Sequence, residues 1–245
     1  MSILLDALQD ALTLFTTLDP VLLEIIWLTL GVSGIALFFS MFLGIPVGVI
    51  SALKRGTIWD RLSMGTALFF VSAPVFWLGL LSLWFFWKTL GLPLESGYTP
   101  ITDGPTSWFL HMVLPWSVLA LLFAAIYARI VRGNMIDAMN EDYVRTARAK
   151  GLRERQVVVK HELRASIAPV ITLLAIDLGV LVGGTIVTES VFNLPGLGRW
   201  LLVAAETNDL PVTLAVTVLV ATAVSVLSLV ADILYAVLDP RVRYR

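Results

Sequence analysis

The sequence has no cysteine and few charged residues, since Asp, Glu, Lys and Arg together make up 14% of its 245 residues. Without cysteine the chain can form no disulfide, no thiolate metal site and no cysteine nucleophile. Soluble domains carry roughly a quarter charged residues. Here 58% of residues are hydrophobic and the mean hydropathy is +0.88. A net charge of −1 gives no reason to expect a nucleic-acid partner. These values indicate a protein that is mostly surrounded by lipid.

Motifs for catalysis and nucleotide binding are also missing. The sequence contains no GxxxxGK[ST] phosphate loop and no GxSxG nucleophile elbow. We therefore predict no catalytic residues, no metal and no cofactor, and we expect any ATP chemistry to belong to a partner. Residues 1–20 hold three aspartates and no Lys or Arg, which is the opposite of a secretory signal's basic start, so no cleavable signal is expected.

Five apolar stretches are long enough to cross a bilayer, whose hydrocarbon core needs about 20 helical residues. We predict spans over 25–53, 62–87, 108–128, 167–187 and 210–234. The second has Pro74 near its middle, and the glycine- and proline-rich segment 88–106 is predicted to be a loop. The predicted fold class is all-α and polytopic, with residues 1–24 as an external N-terminal segment and residues 25–245 as one transmembrane domain.

Basic residues are concentrated in three segments. Segments 54–61, 129–166 and 241–245 hold 15 of the 17 Lys and Arg residues. Because Lys and Arg beside spans are retained on the cytoplasmic side, these segments are predicted to be cytoplasmic, with the N-terminus outside and the C-terminus inside. His111 and His161 then fall on opposite sides of the membrane and cannot share a metal ion.

The cytoplasmic segment 129–166 has the pattern of a short helix with defined ends. Asn140, Glu141 and Asp142 are predicted to start it, because Asn can cap free N–H groups and acids suit the positive end of the helix dipole. Gly151 is predicted to end it, and a second, amphipathic helix is predicted over 153–163.

One face of the short helix is suited to docking. Ala147 and Gly151 have i, i+4 spacing, so a partner could approach closely there, with Thr146 and Lys150 beside them. From charge alone, the loop could equally well only set topology and touch anionic membrane lipid. The ordered helix, stop and second helix favour docking, because a topology signal needs only basic residues.

The run EDYVRTARAKG from Glu141 to Gly151, followed by VVVKHELR up to Arg164, resembles the EAA loop of permease subunits in ATP-binding-cassette importers. More narrowly, it is similar to the dipeptide and oligopeptide branch, as are segments 186–199, 209–212 and 238–244. The resemblance covers residues 62–245. It implies a type I importer permease fold in the cell inner membrane, forming half of a translocation pathway for peptides or a related small solute. Permeases of this branch begin with an additional span and an external domain, so the 24 residues before the first predicted span suggest either a compact variant or a shortened chain.

The resemblance also implies partners and site residues. The 140–164 loop would dock on an ATPase and transmit nucleotide-driven closure to the membrane helices. The expected partners are a second homologous permease subunit, two ATP-binding subunits and an external solute-binding protein. The positions assigned to coupling are Tyr143, Arg145, Thr146, Ala147, Ala149, Lys150, Gly151 and Leu163. Arg164 departs from the proline that many EAA loops have there.

Asp177 is the one carboxylate in the middle of a predicted span, where an unpaired charge is costly. It is expected to face inward, and pore lining and structural hydrogen bonding are equally good interpretations. Two alternatives to an ATP-driven permease therefore stay open. One is an ATPase-independent carrier or channel that uses Asp177, and the other is an assembly-only membrane subunit. Asp232 is predicted to be interfacial, and Gly183–Gly184 is predicted to serve helix packing.

Overall fold

A computed structural model of the chain describes Thr13 and residues 20–238, and every regular element in that part is helical. In chain order the helices are α1 (Pro20–Leu53), α2 (Ile58–Ser72), α3 (Val75–Ser82), α4 (Pro105–Met139), α5 (Asp142–Ala149), α6 (Glu154–Val157), α7 (Leu163–Gly184), α8 (Ile186–Phe192), α9 (Leu197–Glu206) and α10 (Leu210–Leu238). Two π-helical segments, Leu83–Thr89 after α3 and Val158–Glu162 between α6 and α7, complete the list. Most of the predicted external segment 1–24, the tail 239–245, the Asp232 side chain and the packing of Gly183 and Gly184 lie outside the described residues.

Four helical stretches are long and apolar enough to cross a membrane. They are Val21–Leu53, Pro105–Met139, Glu154–Val182 and Leu210–Val230. Helix α2 and the stretch Val75–Thr89 qualify only together, as a pair bent by 102°. The prediction of an all-α membrane protein with about five spans is thus confirmed, with the bent pair in the place of the second predicted span, 62–87.

The predicted span over 62–87 is not one straight helix but falls in a pair of helices bent by 102°, and Pro74 is the physical reason for the break. Helix α2 ends at Ser72, and Ala73 takes the extended conformation with φ −77° and ψ 130°. A residue before proline is pushed out of the helical region by the proline ring, and proline has no N–H to continue the helix. Pro46, Pro115 and Pro169, by contrast, lie inside helices that continue past them.

Two helices extend further than the sequence predicts. Helix α4 does not end near residue 128 but continues through Arg129 and Arg132 to Met139. The amphipathic helix expected over 153–163 is not separate from the fourth span. Helix α6, the π segment Val158–Glu162 and α7 form one continuous stretch up to Val182. Only α5 therefore stands as a short helix between two long ones.

The chain forms two compact units. The first comprises the described residues up to Ala36 with Pro74–Leu119 and Asp177–Leu229, and it has an apolar cluster of Ile25, Leu197 and Val216. The second comprises Leu37–Ala73, Ala120–Ile176 and the described residues from Val230. In the second unit α1 and α4 pack closely, because a Cβ added to either Gly44 or Gly48 would lie 2.6 Å from a carbonyl oxygen of α4.

Candidate functional site

Helix α5 begins at Asp142 and ends at Ala149, close to the predicted bounds. Glu141 is its N-cap and makes no side-chain capping bond. The cap predicted at Asn140 is wrong, because the Asn140 side-chain amide donates a 2.9 Å hydrogen bond back to the Ile136 carbonyl of α4. The predicted stop at Gly151 is confirmed by its φ of +74°, a conformation that glycine adopts without the steric penalty of a Cβ.

The inner face of α5 packs on its own chain. Val144, Ala147 and Val157 form a buried cluster, with Ala147 only 6% exposed. Gly151 lies beyond the end of the helix and is exposed. The expected shared face of Ala147 and Gly151 is therefore wrong, because the helix ends before Gly151 and Ala147 turns inward toward α6.

The outer face of α5 is exposed and mixes aromatic, small and cationic side chains. Tyr143 is 41% exposed, and the Arg145 side chain is 71% exposed with a 3.7 Å ion pair to Asp142. Such exposed pairs contribute little to stability, so Arg145 stays available to a partner. The outer face is defined by five of the predicted coupling residues, namely Tyr143, Arg145, Thr146, Ala149 and Lys150. Of the other three, Ala147 and Gly151 lie as described above, and Leu163 is half-buried at the start of α7.

Arg148 links the last turn of α5 to the helix that follows. Its Nη2 atom donates to Glu154 Oε1 at 2.6 Å and to Glu162 Oε1 at 2.8 Å. These contacts, chiefly the hydrogen bond to Glu154, raise the pKa of the Arg148 guanidinium above its ordinary value. Glu162 is fully buried, and its Oε2 atom has no hydrogen-bond partner among the described residues. Arg148 is therefore the cation that holds Glu162 in place, and it ties α5 to the α6–α7 stretch.

A second ion pair in the same unit joins α2 to α4. Arg132 donates from Nε to Asp60 Oδ1 at 2.6 Å and from Nη2 to Oδ2 at 2.9 Å. Asp60 also accepts the Ser51 hydroxyl at 2.6 Å and the Gly56 N–H at 2.9 Å. With Asp60 only 5% exposed, this bidentate clamp fixes the α1–α2 turn against the cytoplasmic end predicted for α4. Sequence reasoning missed it, because nothing in the sequence pairs residues 72 positions apart.

Asp177 is half-buried on α7 in the first unit, and it has an interaction partner. The inward-facing position expected for Asp177 within a span stays a prediction. Pore lining stays a prediction for this residue.

Sequence reasoning also missed Glu189 on α8, a third buried carboxylate after Asp60 and Glu162. It is 2% exposed and accepts hydrogen bonds from the Thr185 hydroxyl at 2.7 Å, the Thr29 hydroxyl at 3.1 Å and the Arg199 N–H at 2.8 Å. Thr29 in turn accepts the Leu197 N–H at 2.9 Å. The carboxylate thus sits at the positive N-terminal end of α9 and accepts the Arg199 N–H, one of the N–H groups that a helix start leaves free, while Thr29 accepts that of Leu197. The sequence signal was an acid seven residues before Gly196 in an otherwise apolar run.

Residues 44–244 match the family of binding-protein-dependent transport system inner membrane components. The chain belongs to this family. Its α5 loop, the Asp60–Arg132 clamp, Asp177 and Glu189 all lie within the matched residues. Family membership and the apolar helices place the chain in the inner membrane as a multi-pass protein, as predicted.

Sequence relatives in this family cover most of the chain. The chain is 36% identical over 240 residues to the dipeptide transport system permease protein DppB of Escherichia coli K12, covering 89% of the chain and 71% of that protein. A protein of Brucella suis biovar 1 named as a peptide permease is 41% identical over 217 residues, covering 88% of the chain and 68% of that protein.

The fold is also found in a solved transporter. An inward-facing structure of the MetNI methionine ABC transporter matches with a TM-score of 0.72, 21% identity, and coverage of 91% of the chain and 98% of the matched chain. At that identity the similarity concerns the fold alone. It supports the type I importer permease class predicted from sequence.

In this family member, Gly196→Ala is expected to lower the free energy of unfolding by roughly 1–3 kcal/mol, as overpacking does. A Cβ at Gly196 would lie 2.2 Å from Glu189 carboxyl atoms, so the carboxylate would have to leave the start of α9. Thermal unfolding in detergent, followed by tryptophan fluorescence, would measure the loss. Gly133→Ala on α4 is the matched control, because nothing lies within 4 Å of its Cβ position. Equal melting temperatures for Gly196→Ala and wild type would show that the Glu189 site tolerates the added methyl group.

Proposed function

We propose that this chain is the permease subunit of an ATP-binding-cassette importer for peptides, and that α5 docks on a partner ATPase. The solute class is supported by the relatives named for dipeptide and peptide transport. The docking is supported chiefly by one observation, which is that α5 has a buried inner face and an exposed outer face. A short helix anchored on one side is suited to lie in a groove on a partner, as helices do in groove recognition.

The contacts around α5 explain how docking would be transmitted. Arg148 binds both Glu154 and Glu162, and these belong to the continuous stretch that leads into α7. A displacement of α5 by the ATPase would therefore pull directly on the start of a membrane-spanning helix. Separating Arg148 from Glu162 would leave a buried carboxylate unpaired, which is strongly unfavourable, so the two elements should move together.

ATP hydrolysis would take place in partner subunits. With no phosphate loop in its sequence, this chain would contribute a pathway and a coupling element rather than catalysis. Its proposed partners are a second homologous permease subunit, two ATP-binding subunits that dock on the α5 loops, and an external solute-binding protein. The family description, which names dependence on a binding protein, supports the last of these.

The two alternatives left open by the sequence are weaker. An ATPase-independent carrier or channel centred on Asp177 has no support from the family match. Asp177 also has an interaction partner, so its position in a span does not by itself call for an ion site. An assembly-only subunit does not explain why α5 has an exposed face while Arg148 ties the helix to Glu154 and Glu162.

Reconstitution tests the proposed function directly. The full chain would be assembled with its partner permease, ATP-binding subunits and binding protein in proteoliposomes, and uptake of a radiolabelled dipeptide would be measured with and without ATP. We expect uptake only with ATP and only when the ATP-binding subunits are present. Equal uptake in vesicles that lack those subunits would contradict the proposal and favour the Asp177 carrier, which an Asp177→Asn variant would then abolish.

A further inference from the structure

The first unit contains a cavity of about 590 Å³, within the range of small-molecule sites. Its walls come from the first part of α1, the loop around residues 98–103 and the first part of α4. That loop belongs to the segment predicted to be external. Leu28, Val32 and Met112 give the cavity an apolar, buried floor.

Aromatic rings make up a large part of the wall. Trp108 and Trp116 stand edge to face, with ring centroids 5.4 Å apart, and both line the cavity. Trp27 lines it from α1 and is 73% exposed. Indole faces attract cations by their quadrupole, and tryptophan does so most strongly among the aromatic residues.

The charge that the described residues place around this cavity is negative. Glu24 and Asp103, both exposed, line it, and no lysine, arginine or histidine among the described residues does. Within residues 20–238 neither carboxylate has a cationic partner, and Asp103 accepts only the neighbouring Thr102 hydroxyl at 3.1 Å. Tyr98, also in the wall, has its pKa raised, chiefly by burial and further by the charge of Glu24. The cavity therefore combines two exposed carboxylates, which have no cationic partner among residues 20–238, with cation-attracting rings.

We propose that this cavity binds the amino-terminal ammonium group of a peptide solute, with Glu24 and Asp103 as the charge partners and the tryptophan walls around the first side chain. This inference rests on the proposed peptide function, and it adds a subsite in this subunit. The same charges repel a carboxylate, so the peptide's carboxyl end lies outside the cavity. Recognition then depends on the free amine and not on the free carboxyl group.

The test compares two probes whose carboxyl ends are both neutral amides and which differ only in whether the amino end is a free, charged amine. Leucyl-leucinamide and N-acetyl-leucyl-leucinamide would be titrated by calorimetry into the full complex in lipid nanodiscs, with no binding protein present. We expect leucyl-leucinamide to bind saturably and the acetylated probe to bind at least about tenfold more weakly, the scale of one contact to a charged group. Glu24→Gln and Asp103→Asn should each weaken leucyl-leucinamide binding several-fold, while Glu95→Gln, an exposed external acid outside the cavity, should not.

The outcomes separate this inference from the proposed function. Each preparation would also be assayed for bound ATP-binding subunits and ATP-driven uptake. Equal affinity for the two probes, no binding of either, or unchanged affinity in Glu24→Gln and Asp103→Asn would overturn the cavity assignment while uptake and subunit binding remained intact. If the wild-type chain did not bind the ATP-binding subunits at all, that result would instead overturn the proposed function. A Trp27→Leu variant, at an exposed position that should not disturb folding, should weaken both probes and so checks that binding is at this site.

Discussion

Replacing Arg132 with leucine is expected to lower the free energy of unfolding by roughly 3–5 kcal/mol, the scale for breaking a buried ion pair from one side. Asp60, which is 5% exposed in the wild-type chain, would keep its hydrogen bonds from Ser51 and Gly56 but lose both guanidinium contacts. The expected observation is a large fall in melting temperature and in the yield of monodisperse protein in mild detergent.

Two further variants show whether the loss comes from the orphaned carboxylate. Arg129→Leu removes a cation from the same helix at an exposed position and should change stability by less than about 0.5 kcal/mol. The double variant Asp60→Leu/Arg132→Leu should recover much of the loss, because replacing both partners of a buried pair by apolar residues is often close to neutral. Additive losses in the double variant would show that Arg132 acts through packing and not through its pairing with Asp60.

Replacing Tyr143 with alanine together with Ala149→Trp is expected to weaken binding of the ATP-binding subunit by about 30-fold or more. Tyrosine is one of the residues that dominate interface energies, and losses of about 2 kcal/mol or more mark such positions. Tyr143 is 41% exposed, and Ala149 is an exposed small residue on the same outer face, where an indole would block close approach. Affinity would be measured by biolayer interferometry on the reconstituted permease.

The choice of positions follows from the packing of α5. Ala147→Arg would put a charge between Val144 and Val157 and unfold the loop, so lost binding would say nothing about docking. Lys150→Gln and Lys160→Gln form a matched pair, because both lysines are exposed but only Lys150 belongs to the outer face of α5. We expect Lys150→Gln to weaken binding of the ATP-binding subunit and Lys160→Gln to leave it unchanged. Equal effects would mean that general charge attraction accounts for binding.

Features that depend on local chemistry could be predicted from the sequence. The all-α class, the approximate number of spans and the bounds of α5 follow from the length of the apolar runs, the acids at the start of α5 and the glycine at position 151, which are properties of neighbouring residues. The break at Pro74 was also available from the restriction on the preceding residue. It was missed because apolarity by itself predicts membrane crossing and not straightness.

Features that depend on distant residues could not be predicted. Asp60 meets Arg132 across 72 positions, and Glu189 meets Thr29 across 160. Ala147 is buried because it packs against Val157, which lies beyond the loop. The helical periodicity of α5 alone gives no information on the position of Val157. The family resemblance assigned the coupling role to the α5 loop, which stays a prediction, and only the three-dimensional packing separates the outer face of α5 from its anchored inner face.

Crosslinking from a single introduced cysteine tests the docking of α5 most directly, because the natural sequence has no cysteine. Ala149→Cys on the outer face of α5 and Ser96→Cys in the predicted external loop, both exposed, would each be joined to the assembled complex with a short maleimide photocrosslinker. Docking predicts that Ala149→Cys captures the ATP-binding subunit in high yield and that Ser96→Cys does not. Absence of that product from Ala149→Cys, in complexes that still contain the ATP-binding subunit, would contradict the docking of α5.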